Sequence, residues 1–177
     1  MIYFTSDLHF GHKNIISHTG RPFSAAEEMD EALIRNWNRT VQPNDEVYIL
    51  GDLTMKGPDF AAGILSQLKG RKYLIRGNHD RFADNREFDQ GLFQWIRDYY
   101  ELNWQNRKFI LFHYPIEEWN GYFKGSIDLH GHQHNKEEYN FSNLEKRIRR
   151  YDVGVDANRM KPVSIEEIAA FADMISG

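Results

Sequence analysis

The sequence contains no cysteine, and this absence excludes several classes of protein at once. Disulfide bonds, thiolate nucleophiles and cysteine-ligated zinc sites all require that residue. Proteins without disulfides are typical of reducing compartments, so we expect a cytoplasmic location.

Long hydrophobic runs are also missing. The longest uninterrupted apolar stretch covers residues 168–172, whereas a helix that spans a bilayer needs about 20 such residues. We therefore expect no transmembrane segment. Residues 1–4 already have the pattern of a buried strand, with no basic segment before them, so we expect no signal peptide either.

An excess of basic charge is absent as well. Lys and Arg number 22 against 26 Asp and Glu, which gives a formal net charge of −4 with histidine neutral. Many nucleic-acid-binding domains are strongly basic, so this balance does not indicate a nucleic-acid partner. The densest basic run, residues 146–150, is expected to be a solvated face.

What the sequence does have is a series of short apolar runs separated by helical patterns. Such runs favour strands that are buried on both faces, and they lie at residues 1–4, 47–50, 73–75 and 109–112. Weaker strand candidates are residues 99–102, 127–129 and 151–155. Apolar residues at helical spacing predict amphipathic helices after Ser24, Asp59 and Ser164. The pattern predicts an α/β sheet in the first half, more hairpins in the second, and one domain spanning residues 1–177.

Polar residues follow five of these strands at their carboxyl ends. They are Asp7-Leu8-His9, Gly51-Asp52, Gly77-Asn78-His79-Asp80, His113 and Gly131-His132-Gln133-His134. Ligand sites of open α/β sheets gather at the carboxyl ends of strands, so folding is expected to bring these residues together. An extended backbone would also place Asp7 and His9 on the same side. Carboxylate, imidazole and amide ligands suit Mn, Fe, Zn or similar divalent ions.

This order of motifs resembles that of the calcineurin-like metallophosphoesterases, which run Asp-x-His, Gly-Asp, Gly-Asn-His-Asp/Glu, His and Gly-His-x-His. The similarity extends from Asp7 to His134. Residues 6–12 and 161–164 are also similar to the small stand-alone bacterial and phage members of that superfamily. The resemblance implies a four-layer α/β/β/α sandwich, with two mixed sheets flanked by helices and metals at one edge.

The resemblance also implies a role for each polar residue. The implied ligands of one ion are Asp7, His9, Asp52 and His134. Those of a second ion are Asp52, Asn78, His113 and His132, so that Asp52 is shared. A hydroxide between the two ions would attack a phosphate ester in line. His79 would protonate the leaving oxygen, and His12 and Arg21 are candidates for contact with the substrate phosphate.

One departure narrows the substrate. Protein phosphatases of this superfamily extend Gly-Asp to Gly-Asp-x-x-Asp-Arg-Gly, whereas Met55 and Lys56 occupy the Asp and Arg positions here. A phosphoprotein phosphatase is therefore not favoured, and what orients His79 is open. The leading hypothesis is a dinuclear metal-dependent phosphomonoesterase or phosphodiesterase. The alternatives are a nuclease, which would need more basic charge, and a non-catalytic binding module, which would be expected to lose ligands.

Overall fold

The computed structural model describes residues 1–176, and its elements follow the apolar patterns closely. The strands are β1 (Ile2–Thr5), β2 (Glu46–Ile49), β3 (Arg71–Ile75), β4 (Ile96–Arg97), β5 (Tyr99–Trp104), β6 (Arg107–Phe112), β7 (Ile127–His130), β8 (Arg150–Asp152) and β9 (Val163–Ser164). The α-helices are α1 (Lys13–Thr19), α2 (Ala26–Thr40), α3 (Pro58–Gln67), α4 (Glu137–Glu145) and α5 (Ile165–Ser176). Sequence patterns missed β4, β9, α1 and α4, because each of these elements is short or mostly polar.

The strands form two mixed sheets. In the first, of order β4-β3-β2-β1-β9, all neighbours are parallel except β9, which is antiparallel to β1. In the second, of order β5-β6-β7-β8, β5 and β6 form a hairpin that turns at Gln105 and Asn106. The expectation of further hairpins is wrong, because β6, β7 and β8 run parallel to one another.

Alternation along the first sheet divides its apolar side chains between two cores. Val47 and Ile49 of β2 pack in the core that includes α2 and α3. Tyr48 and Leu50 pack in the core between the two sheets, to which α5 also contributes. The predicted architecture is confirmed: two mixed sheets are flanked by helices.

Local capping explains where two helices begin. Ser164 and Glu167 form a reciprocal capping box before α5, in which the Glu167 carboxylate accepts from the Ser164 amide at 2.9 Å. Before α2, the Ser24 amide and hydroxyl donate to Glu28 instead of the expected Glu27. Among the described residues, none of the helices has the length and apolar character needed to cross a bilayer.

The two sheets are fixed to each other at the carboxyl ends of β1 and β2. The Val155 amide donates to the Ser6 carbonyl at 3.1 Å, which joins the segment after β8 to the segment after β1. The Ser6 hydroxyl donates to the Leu50 carbonyl at 2.8 Å. These bonds hold the ends of strands from both sheets at one shared edge.

Replacing a side chain between the sheets tests this arrangement. Phe109 is fully buried, with its ring centroid 6.2 Å from that of Phe4. Phe109→Ala is expected to lower the free energy of unfolding by about 3–5 kcal/mol, because it removes buried apolar area and leaves a cavity. Phe123→Ala is the control, since Phe123 is 87% exposed, and it should change stability by less than about 0.5 kcal/mol. Urea denaturation measures both, and equal losses would contradict the packing described.

Candidate metal centre

Six side chains from the strand ends form two compact groups at the shared edge. The first group is Asp7, His9 and His134, and the second is Asp52, His113 and His132. Within each group, one nitrogen or oxygen atom from every residue lies within 4.8 Å of the others. Loops that are distant in the sequence thus contribute to each group, as expected for strand ends that meet at one edge.

The backbone at these positions is unusual. Left-handed φ angles occur at Asp7 (56°), His9 (52°), Asp52 (56°), His132 (71°) and His134 (51°). Asp7 and His9 therefore converge because both residues are left-handed, and the expected extended geometry is wrong. Residues other than glycine seldom adopt this conformation, and it persists only where the surroundings impose it, commonly at functional sites.

The glycines of the motifs allow the loops to approach one another closely. An added Cβ at Gly51, where φ is +91°, would lie 2.4 Å from His113 Nδ1. At Gly77 it would lie 2.2 Å from Asp52 Oδ1, and at Gly131 it would lie 2.3 Å from Asp7 Oδ2. Each distance is far shorter than a real contact, so only glycine fits beside these side chains.

Hydrogen bonds orient two of the imidazoles toward the centre. Nδ1 of His113 lies 2.7 Å from the Leu50 carbonyl oxygen, which can only accept. Nδ1 of His134 lies 3.0 Å from Asp156 Oδ2. In each ring Nδ1 therefore carries the proton, and the lone pair of Nε2 is free to bind a cation.

Asp52 and Asn78 connect these imidazoles across the centre. Asp52 Oδ2 lies 3.5 Å from His9 Nε2 and 3.6 Å from His113 Nε2, so the carboxylate lies between the two groups. Asn78 Oδ1 lies 3.0 Å from both His113 Nε2 and His132 Nδ1. All seven residues predicted as ligands are therefore brought together.

Two buried atoms of the first group have no hydrogen-bond partner. They are Asp7 Oδ1 and His9 Nε2. Unpaired buried polar atoms are rare because they lose hydration without compensation, so each one requires an explanation. A divalent cation would satisfy both atoms, and the imidazole, carboxylate and amide donors fit such an ion.

Burial also shifts the titration of these groups. It raises the pKa of Asp7 well above the ordinary value, with help from the nearby carboxylates of Asp152 and Asp52. It lowers the pKa of His9 to about 2, assisted by His134 and Arg21. Burial lowers the pKa of His113 and His132 as well. These imidazoles are therefore held in the neutral form that binds metals.

Arg21 does not face the cavity, contrary to the sequence expectation. Its side chain is fully buried and donates to both oxygens of Asp156, at 3.1 and 2.7 Å. It also donates to the carbonyl oxygens of Asp7 and Leu8, at 2.7 and 3.0 Å. Arg21 therefore supports the loop that carries Asp7 from the protein interior, where a substrate phosphate cannot reach it.

Asp156 is a residue of the candidate site that sequence reasoning missed, and it contacts both His134 and Arg21. Burial by itself would raise its pKa, but hydrogen bonds from His134 and Arg21 outweigh burial and hold that pKa well below the ordinary value. The ionised carboxylate fixes the ring of His134. The only signal in the sequence was an acidic residue just after a predicted strand, which is too common to single it out.

Asp80 joins the loop that carries Asp52 to the loop that carries Asn78. Its carboxylate accepts from the amides of Asp52, Leu53 and Gly77, each at 2.8 Å. Burial raises the pKa of Asp80 to about 6. This carboxylate therefore positions the loops that carry Asp52 and Asn78, and it is not hydrogen-bonded to the His79 ring.

His79 lies beside the ligands and is accessible. Its amide donates to Asp52 Oδ1 at 2.9 Å, while its side chain is 35% exposed with Nε2 at 4.0 Å from Asp52 Oδ2. A cavity of about 390 Å³ opens in front of it, lined by His9, His12, Asn14, Ile15, His18, Asp52, His79, His132 and His134. His12 Nδ1 lies 3.3 Å from His9 Nδ1, so His12 borders both the ligands and the cavity.

Comparisons with known proteins show what this chain is similar to. The sequence model of the family described as calcineurin-like phosphoesterase matches residues 1–162. The chain is 37% identical to protein MJ1445 of Methanocaldococcus jannaschii over 171 residues, covering 94% of this chain and 88% of that protein. It is 30% identical to the gene 66 protein of Mycobacterium phage D29 over 161 residues, covering 76% and 79%. The solved structure of AQ665 from Aquifex aeolicus superposes with a TM-score of 0.75 at 30% identity, covering 96% and 98%.

Asp156 offers a test of the buried support. In metal-free protein at about pH 7, Asp156→Asn should lower the free energy of unfolding by about 3–5 kcal/mol, because Arg21 becomes a buried charge without its partner. The folded-state pKa of Asp156 lies below its unfolded value of about 3.9. Its contribution is therefore fully present above that value and is lost as the pH falls toward the folded-state pKa.

Urea denaturation with a chelator at about pH 7 and about pH 3 measures the difference in unfolding free energy between the parent protein and Asp156→Asn. This difference should be smaller at the lower pH. Asp173→Asn is the control, because Asp173 pairs with Arg107 at the surface and is 61% exposed. Its effect should stay within about 0.5 kcal/mol. Equal effects of the two substitutions would contradict the role given to Asp156.

Proposed function

The chain belongs to the calcineurin-like phosphoesterase family, and from that premise we propose that it is a dinuclear metal-dependent phosphoesterase acting on phosphomonoesters or phosphodiesters. The observation that carries the proposal is the pair of adjacent ligand groups, with Asp52 between them. Both groups border one open cavity, so a substrate can reach them. A non-catalytic module would be expected to have lost some of the predicted ligands. All seven are present here, so that alternative is less favoured.

The donor atoms divide naturally between two ions. One ion would be held by Asp7, His9, Asp52 and His134, and the other by Asp52, Asn78, His113 and His132. The position of Asp52 Oδ2, 3.5 and 3.6 Å from an imidazole of each group, supports its shared role. When bound, two divalent cations would supply a hydroxide nucleophile for in-line attack at phosphorus and would offset the charge that develops on the phosphoryl oxygens.

His79 is proposed as the general acid. It lines the cavity beside the ligands, and its neighbour Asn78 provides the amide oxygen between two imidazoles. The leaving oxygen of an ester in this cavity would therefore be within reach of the His79 imidazole, which can donate a proton to it. His12 borders the same cavity and is proposed to contact the substrate.

The direct test is a substrate panel assayed on metal-free protein that has been reloaded with one divalent ion at a time. Mn, Fe and Zn are compared on aryl and alkyl phosphomonoesters and on phosphodiesters. At least one ion should restore hydrolysis well above that of the metal-free protein. The absence of hydrolysis with every ion, in protein that holds about two ions per chain, would favour the non-catalytic alternative.

Asp52→Asn tests the shared ligand. We expect the variant to lose both ions, because a neutral amide holds divalent cations less well and Asp52 lies between the two groups. Elemental analysis after removal of free metal should show about two ions per parent chain and far fewer in the variant. Asp59→Asn is the control, since Asp59 is exposed in the first turn of α3. A variant that retains both ions, or loses only one, contradicts the assignment.

His79→Ala separates catalysis from metal binding. The variant should keep the metals and the fold, yet lose about 10²–10⁴-fold in kcat on alkyl phosphates, whose leaving groups need protonation. The loss on nitrophenyl phosphate should be much smaller, because nitrophenolate leaves without a proton. Kinetics on both substrates and elemental analysis measure this. Equal losses on both substrates, or the loss of an ion, would remove His79 from the role of general acid.

A further inference from the structure

A second cavity adjoins the one that contains the metal centre. Its volume is about 330 Å³, and its lining residues are Phe10, Gly11, His12, Lys13, Asn14, Met55 and Lys56. His12 and Asn14 line both cavities. The two spaces are therefore neighbours that share a wall at the start of α1, where a molecule longer than a single phosphate could contact both.

Two lysines give the second cavity its chemical character. Lys13 begins α1 and Lys56 follows the Asp52 loop, and both are exposed. The stem of Lys56 lies against Gly11, since a Cβ added at Gly11 would be 3.2 Å from Lys56 Cε. Asp30 is the acidic residue near Lys56, and both of its carboxylate oxygens also lie 3.0 Å from the amide nitrogen of Gly11.

The position of His79 sets the direction in which a substrate extends. His79 lines the first cavity and, as the proposed general acid, must contact the leaving oxygen. A leaving group in the first cavity would lie in the space that His12 and Asn14 help to line, and both residues also line the second cavity. The second cavity is lined by Lys13 and Lys56, whose ammonium groups suit a phosphate.

We propose that the leaving group of the substrate carries a second phosphate, which binds in the second cavity between Lys13 and Lys56. This inference rests on the proposed function, because it names the class of ester that the metal centre hydrolyses. Two sources share the chemistry: a small bisphosphate, and a nucleic-acid strand whose next phosphodiester would occupy the same cavity.

The experiment compares propyl phosphate with propanediol bisphosphate, using protein loaded with the most active ion. The second phosphate should raise kcat/KM in the parent protein. Lys13→Ala and Lys56→Ala should each lower kcat/KM for the bisphosphate about threefold, and the double variant about tenfold, as exposed charge pairs allow. None of these variants should alter kcat/KM for propyl phosphate. Lys56→Arg should retain the preference, and Lys146→Ala, an exposed lysine that precedes β8, is the matched control.

Each outcome decides a separate question. Hydrolysis of neither ester, by protein that also fails on the phosphodiesters of the substrate panel, would contradict the proposed function itself. Hydrolysis of neither ester, by protein that cleaves those phosphodiesters, would overturn a site for a small bisphosphate. Two results would overturn the second phosphate site while leaving the proposed function intact. One is equal kcat/KM for both esters together with no lysine-dependent gain for the oligonucleotide, and the other is an equal loss on both esters in the lysine variants. A dinucleotide and a longer single-stranded oligonucleotide identify the source. A lysine-dependent gain for the oligonucleotide but not for the bisphosphate assigns the cavity to a nucleic-acid strand, whereas the reverse assigns it to a small bisphosphate.

Discussion

The burial of Asp7 and Asp52 beside four imidazoles is the constraint on which the rest of the structure depends. Both carboxylates are almost completely excluded from solvent, and an uncompensated charge in such a place is costly. Asp7 Oδ1 has no hydrogen-bond partner within the described residues. Divalent cations bound at this centre would supply the positive charge that compensates these carboxylates. Without them, the edge where the two sheets meet concentrates groups that destabilise one another.

Support for this centre comes from charged residues that no solvent reaches. Asp80 accepts hydrogen bonds from three backbone amides in the two loops that carry Asp52 and Asn78. Arg21 donates both to Asp156 and to a carbonyl oxygen of the loop that carries Asp7. Asp156 in turn fixes the ring of His134. The ligands are thus positioned by hydrogen bonds to backbone and side chains, which is what a preorganised metal centre requires.

Local sequence predicted which side chains meet at this edge, but it did not predict the residues that support them. The candidate ligands follow apolar strands, and parallel strands end at one edge, so a pattern of a few residues was enough to predict that they lie close together. Arg21 and Asp156 are 135 positions apart, and no local pattern reports a pairing over that separation. The expectation that Arg21 contacts the substrate phosphate was therefore wrong. Elements such as α1 and β4 were missed because few residues of each are apolar, so their burial depends on tertiary contacts.

The left-handed backbone at the ligand positions has a consequence for how this chain can vary. Asn, Asp and His tolerate that conformation better than most residues other than glycine, and they are also residues that bind divalent ions. Backbone geometry and coordination chemistry therefore favour the same few amino acids at five positions, Asp7, His9, Asp52, His132 and His134. A descendant that no longer needed metals would still be confined to few replacements there, and it could keep metal-site motifs in its sequence long after the chemistry was gone.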